Sequence, residues 1–341
     1  MTHFTATVGI PIFCVGFTLD DNLILAGGGG AGRNGVKNKI SIYRVDTTKK
    51  SLTQIVEREL NRDEDAPMSI SVHPKEKAMA FGINSAVNKI KAGENENCRK
   101  VTRFNKDGTL LATGGTDGVI SLLKYPALTP VFPATQFKGH EILDLDFSAD
   151  GAYLSAVSTQ NLWIISTENG RVLELITNPV LNKKKPFEFR TCRFGRGAFV
   201  SILYTVVNGE KNRKPFVCMW DTSNWTRIRT LAVGPRPITA CAMSNDGRLI
   251  AFGSSDMGIR ICSSKTLQVL MTIPKVHALP IPSLAFNNDA SLLVSASVDA
   301  TCSVISVPKT FPKNNNFVML VLALLFLFMA ALIQVYQNAE K

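Results

Sequence analysis

Four copies of one motif, the regular spacing between them and an uncharged apolar run near the C-terminus predict an all-β chain: a seven-bladed, WD-repeat-like β-propeller followed by one transmembrane helix. The copies are "RFNKDGTLLATGGTDGVISLL", "DFSADGAYLSAVSTQNLWIIS", "AMSNDGRLIAFGSSDMGIRIC" and "AFNNDASLLVSASVDATCSVIS", beginning at Arg103, Asp146, Ala242 and Ala285. Each reads as an apolar strand, a tight turn, a second apolar strand, a polar turn and a third strand. The turns fall at Asp107-Gly108, Asp150-Gly151, Asp246-Gly247 and Asp289-Ala290. Glycine tolerates positive φ, and aspartate bonds its own backbone, so the pair suits a hairpin. The turn aspartates are 43, 96 and 43 residues apart. The middle interval holds about two of the roughly 40- to 45-residue periods of propeller blades.

The remaining units are weaker. "CVGFTLDDNLILAGGGG" with "KISIYRV" reads as a first blade, with its second strand at Leu23 to Gly27 and its third at Ile40 to Val45. "SISVHPKEKAMAFGINS" reads as the start of a second. "CRFGRGAFVSILYTVVNGEKNRKPFVCMWDTSNWTRIRTL" fills the long interval, with Trp220-Asp221 ending its third strand in the manner of a WD repeat. "FTATVGI", near the N-terminus, is expected to complete the last blade, because a closed ring removes the sheet edges. The propeller is therefore assigned to residues 1–308 and a short linker to 309–316.

"FVMLVLALLFLFMAALIQV", Phe317 to Val335, carries no charge. At about 1.5 Å per residue such a helix reaches about 28 Å, close to the roughly 27 Å core of an endoplasmic reticulum bilayer. The transmembrane helix is placed at 317–336, with 337–341 as a lumenal tail. Lys309 and Lys313 precede the span, and no basic, apolar leader is visible at the N-terminus, so the large domain is expected in the cytosol. Seven scattered cysteines without a CxxC pair read as buried thiols rather than a zinc site or a disulfide framework. The net charge of +11 suits an anionic leaflet or an acidic partner. No RNA-recognition or zinc-finger pattern accompanies it, so nucleic acid is not expected as a partner.

The loop after Leu25 matches the dinucleotide fingerprint twice, at Gly27-x-Gly29-x-x-Gly32 and Gly30-x-Gly32-x-x-Gly35. That mechanism needs a helix whose N-terminus faces the pyrophosphate, whereas the next segment, "KISIYRV", alternates like a strand. A Walker loop fails as well, since Gly35-Val36-Lys37 lacks the GK[ST] order. Between Gly27 and Lys39 there is no Asp or Glu, which argues against calcium or magnesium. Two readings stay open on the residues alone: a glycine-rich hairpin loop, or carbonyl oxygens with Asn34 or Asn38 around a monovalent cation such as potassium. No nucleophile motif, HExxH or carboxylate pair stands out, and His140 and His277 precede first strands, where histidine serves structure.

"AGGGGAGRNGVKNKISIYRV", the degenerate blades and the C-terminal anchor together resemble the exchange factors of the endoplasmic reticulum that activate the Sar-type GTPase of the COPII coat, the family that includes the prolactin regulatory element-binding protein. The resemblance implies a guanine-nucleotide exchange factor without bond-making chemistry, single-pass in the endoplasmic reticulum membrane, with a Sar-type small GTPase as its partner. It implies that the loop holds potassium through backbone carbonyls of Gly29, Gly30, Gly32 and Gly35. It implies further that Asn38, Val36 and Pro67 contact the GTPase. Lys37 stands where close relatives often have proline, which removes a fixed φ. Some members keep the propeller and anchor without exchange activity, so an exchange-inactive scaffold or cargo-exit facilitator is the alternative.

Overall fold

The computed structural model describes residues 3–30, 35–61, 64–83, 99–179, 187–209, 213–311 and 325–331. After β1 (His3–Thr7), the first sheet is β2 (Ile12–Phe17), β3 (Leu23–Gly27), β4 (Lys39–Asp46) and β5 (Ser51–Glu59). A two-stranded ladder comes next, β6 (Pro67–Val72) with β7 (Met79–Ile83). The third sheet has β8 (Arg99–Phe104), β9 (Leu110–Gly115) and β10 (Val119–Lys124), with the short β11 (Thr129–Pro130) and β12 (Thr135–Gln136) both against β10. Then come β13 (Asp144–Phe147), β14 (Tyr153–Val157), β15 (Asn161–Ser166) and β16 (Val172–Thr177). A further sheet is β17 (Glu188–Phe194), β18 (Ile202–Asn208), β19 (Phe216–Asp221) and β20 (Arg227–Ala232). It is succeeded by β21 (Ile238–Met243), β22 (Leu249–Ser254), β23 (Ile259–Ser263) and β24 (Val269–Ile273). The last sheet is β25 (Ser283–Phe286), β26 (Leu292–Ala296) and β27 (Thr301–Ser306), and its fourth strand is β1.

All ladders are antiparallel, and the first strands of successive sheets pack beside one another until β25 returns to β2. The result is a β-propeller with six sheets of four or five strands among the described residues. Of the expected second blade, β6–β7 is the part present among the described residues; residues 84–98 lie outside them. β1 pairs with β27 as expected, His3 opposite Ile305 and Thr7 opposite Thr301, which closes the ring.

The units Met1–Val307 and Pro308–Lys341 are separately compact. In the second, residues 325–331 are helical and apolar with exposed side chains. No helix among the described residues is long and apolar enough to cross a membrane. The span expected at 317–336 lies outside them except for that short helical stretch.

The core lies between blades. Ile12, Leu23 and Leu25 of the first sheet pack on Val294, Cys302 and Val304 of the last, and each large aliphatic buried in this way contributes roughly 1.5–3 kcal/mol. The second strands β3 and β22 are buried along their whole length, whereas β16 and β20 are outermost and largely exposed. Asp144 on β13 joins three sheets: its carboxylate accepts from Arg103 on β8 at 3.1 Å and from Arg193 on β17. His277 is buried between Thr301 Oγ1 at 2.8 Å and Ser295 Oγ at 2.7 Å, and burial lowers the pKa of its imidazole despite nearby Asp299. The six described cysteines are reduced and buried, and burial pushes the thiols of Cys262 and Cys302 up to about 12.

In five ladders the first strand carries a bulge near its start, which leaves Phe13, Met68, Lys100, Arg190 and Thr239 out of register. A bulge adds local twist and re-aims the extra side chain.

The hairpin turns have the expected left-handed residue: Gly108, Gly151, Gly247 and Ala290 all have positive φ, between 59° and 78°. They differ in surroundings. A Cβ on Gly247 would fall 2.0 Å from the carbonyl oxygen of Arg196, whereas one on Gly151 would meet only Asn105 Nδ2 at 3.5 Å. Gly151→Ala is therefore expected to cost about 1 kcal/mol for its backbone conformation alone, and Gly247→Ala about 3 kcal/mol because a backbone carbonyl must move. Paired urea melts check that order.

Candidate functional site: the glycine loop of the first blade

The loop joins β3 to β4, as the strand pattern requires, and its base is pinned on both sides. The Gly28 amide donates to Pro11 O at 2.9 Å, and the Leu60 amide donates to Asn38 O at 2.9 Å. Gly28 has φ +144°, and a Cβ there would fall 2.3 Å from Asn38 Oδ1 and 2.5 Å from Asn38 Cα. Only glycine lets the two ends of the loop approach so closely.

Asn38 turns inward through that space. Its Oδ1 accepts from the Gly30 amide at 3.0 Å, while its Nδ2 donates to Gly30 O at 3.1 Å and to Glu64 O at 2.8 Å. A single carboxamide thus pairs with both backbone groups of Gly30, as a neighbouring strand would, and ties the loop to the segment before β6. No charged or aliphatic side chain could supply both a donor and an acceptor here. Asp65 lies on the same side: its Oδ1 accepts from the Ala66 amide at 2.7 Å and would be 3.1 Å from a Cβ on Gly30.

The structure brings Gly30 and Asn38 of the loop together with Glu64 and Asp65, in the segment that leads into Pro67 at the start of β6. Of the three residues expected to contact a partner, Val36 is exposed, while Asn38 and Pro67 are buried. Asn38 therefore sits as a clamp under the loop and not at its tip, because its amide gains three hydrogen bonds by facing inward. Gly35 is exposed with φ +83° and open space around it, and Gly32 and Asn34 lie outside the described residues. Lys37 pairs with Glu59 at 2.7 Å and Lys39 with Glu57 at 2.6 Å, which fastens the loop's return to β5. The hydrogen bond to Glu57 raises the pKa of Lys39.

No group of three or more His, Cys, Asp or Glu side chains able to hold a metal occurs among the described residues. The donors near the loop are neutral carbonyls together with the Asp65 carboxylate, which the sequence keeps far from the central glycines.

The profile described as "WD domain, G-beta repeat" matches residues 88–122, 132–166, 225–263 and 267–306, and each match includes the turn of one of the four motif copies. Among curated proteins, "SEC12-like protein 2" of Arabidopsis thaliana is 27% identical over 79% of this chain and 72% of its own length. "Guanine nucleotide-exchange factor SEC12" of Mus musculus is 28% identical over 70% of this chain and 61% of its own. The protein of the same name from Candida glabrata is 22% identical over 91% and 73%. The chain belongs to the SEC12 family. A chain of the "Crystal Structure of Mitotic Checkpoint Complex" superposes on this SEC12-family chain with a TM-score of 0.67 at 14% identity, covering 89% of this chain and 93% of that one, which shows the shared propeller fold.

In this SEC12-family chain, the clamp should be separable from the ring. Gly28→Ala is expected to expel Asn38 and raise amide exchange at Gly30 by about tenfold or more, the loss of at least one net hydrogen bond. Lys37→Ala should leave it unchanged, since an exposed pair is worth under about 1 kcal/mol. Hydrogen-exchange mass spectrometry of the two variants checks both outcomes.

Proposed function

We propose that this chain is a guanine-nucleotide exchange factor for a Sar-type small GTPase, acting at the endoplasmic reticulum membrane to start COPII coat assembly. The observation that carries the reading is the glycine loop of a SEC12-family propeller, held by Asn38 against Glu64 in the segment that leads into Pro67. The loop projects Val36 and Gly35 into solvent. Asn38 serves as a positioning residue, and Glu64 and Asp65 brace the loop from the next sheet.

Exchange of this kind makes and breaks no covalent bond. The propeller binds the GDP-loaded partner, the braced loop displaces its switch and phosphate-binding segments, and the nucleotide-free form is stabilised until GTP refills the site. Potassium, held by carbonyls of Gly29, Gly30, Gly32 and Gly35 with Asp65 beside Gly30, would supply electrostatic stiffening of the loop. In this reading residues 1–308 form the cytosolic propeller, β6–β7 begins a seventh blade, 309–316 link it to a transmembrane helix at 317–336, and 337–341 face the lumen. A linker from Pro308 to Asn316 spans at most about 30 Å, so activation would occur beside the membrane.

The burial of Asn38 and Pro67 favours the second reading, an exchange-inactive tethered scaffold or cargo-exit facilitator, in one respect: neither side chain is free to touch a partner as the loop stands. The purified full chain in detergent decides between them. It should accelerate GDP release from the cognate GTPase, and Asn38→Ala should slow that release by about tenfold or more while the propeller stays folded. No acceleration by the wild type establishes the scaffold; undiminished exchange by Asn38→Ala removes the clamp from the mechanism.

Replacing potassium by lithium should slow exchange severalfold and increase amide exchange in the loop, because the smaller ion holds its water more strongly than carbonyls can replace it. Identical rates and identical loop protection in the two salts would count against the ion site.

A further inference from the structure

The first strands of the sheets enclose a channel along the propeller axis, seen as two continuous cavities of about 550 and 360 Å³ that share Arg103 and Arg196. Such volumes fall in the range of small-molecule sites, roughly 300–1,000 Å³. The walls carry six cations, Lys100, Arg103, Lys106, Arg190, Arg193 and Arg196, and two carboxylates, Asp144 and Asp146. Both carboxylates are already engaged. Asp144 accepts from Arg103 and Arg193 and from the Cys192 amide at 3.3 Å, and Asp146 Oδ2 accepts from the Phe194 amide at 2.8 Å.

Among the described residues the other arginines of the channel have no acid. Arg196 donates there to the neutral Asn245 Oδ1 at 2.9 Å. Arg190, half-buried, has no hydrogen-bond or ion-pair partner among the described residues. Two of the five bulges, at Lys100 and Arg190, place a cation at this channel; Lys100 is paired with Glu141, which leaves Arg190 as the bulged cation without an acid among the described residues. Burial, and after it the adjacent positive charge of Arg193, lowers the pKa of Arg103. An arrangement of convergent, half-buried guanidinium groups without enough carboxylate calls for an anion with several oxygens, since each guanidinium fork matches two of them.

We propose that the axial channel binds a compact polyphosphate of the inositol phosphate type, either as the free sugar phosphate or as a lipid headgroup, with Arg103, Arg190, Arg193 and Arg196 as its cradle. This site is distinct from the glycine loop and independent of exchange activity.

The test is calorimetric titration of the full chain in detergent with inositol hexakisphosphate and, separately, with dioctanoyl phosphatidylinositol 4-phosphate. One-to-one binding of either is expected, and its identity tells a free ligand from a headgroup. Arg190→Gln and Arg196→Gln should each weaken it by about tenfold, the worth of a charge-assisted hydrogen bond, whereas Lys309→Gln, at an exposed position outside the channel, should not. Hydrogen exchange on the wild type gives a second readout free of folding defects in variants: ligand should protect β8 and β17. Absence of binding by both compounds, undiminished affinity of the arginine variants, or protection confined to other strands would overturn the proposal.

Discussion

The pairing of β1 with β27 is the interaction on which every other part of the propeller rests. Antiparallel sheets arranged around an axis bury their faces against one another, but an open arc would leave one sheet with a bare inner face and an unpaired edge. By placing His3 opposite Ile305 the chain gives its last sheet a fourth strand, and the cluster of Ile12, Leu23, Val294 and Val304 then seals the first sheet against the last. Asp144 repeats the principle on a smaller scale, holding β8, β13 and β17 through two arginines.

Rigidity of the ring is what makes a long glycine loop usable. Gly27 to Asn38 would cost considerable entropy to order by itself. Here both ends emerge from paired strands, Asn38 closes the base, and the segment before β6 supplies Glu64 O as a third anchor from the neighbouring sheet. The loop is therefore specified by two sheets together, and its shape depends on how β2 and β6 pack.

The repeats were legible because their signals are local. Asp-Gly turns and alternating or continuous apolar strands need no knowledge of distant residues, and the positive φ at Gly108, Gly151, Gly247 and Ala290 matches the pattern read from the sequence. The place of the glycine loop between the second and third strands of the first blade was also legible, since a strand pattern flanks it on each side. The inward turn of Asn38 was not, because its partners, Gly30 and Glu64, are 8 and 26 residues away and no periodicity connects them. Asp65 escaped a search for carboxylates confined to the loop, and the bulges that turn Lys100 and Arg190 into the channel leave no mark in the hydrophobic pattern.

The seal between β1 and β27 also sets a sequence of events in time. Thr5 and Ser303 meet across 298 positions, so β1 waits for β27 to be made before it has its partner. Sheets formed from consecutive strands can assemble as they emerge, but the ring stays open until residues 301–306 have been made, and such distant pairing is slow. Any chain that stops short of them carries an unpaired edge. Closure of the fold thus depends on β27, and a molecule that lacks this strand differs from a closed ring in a feature that chaperones can read.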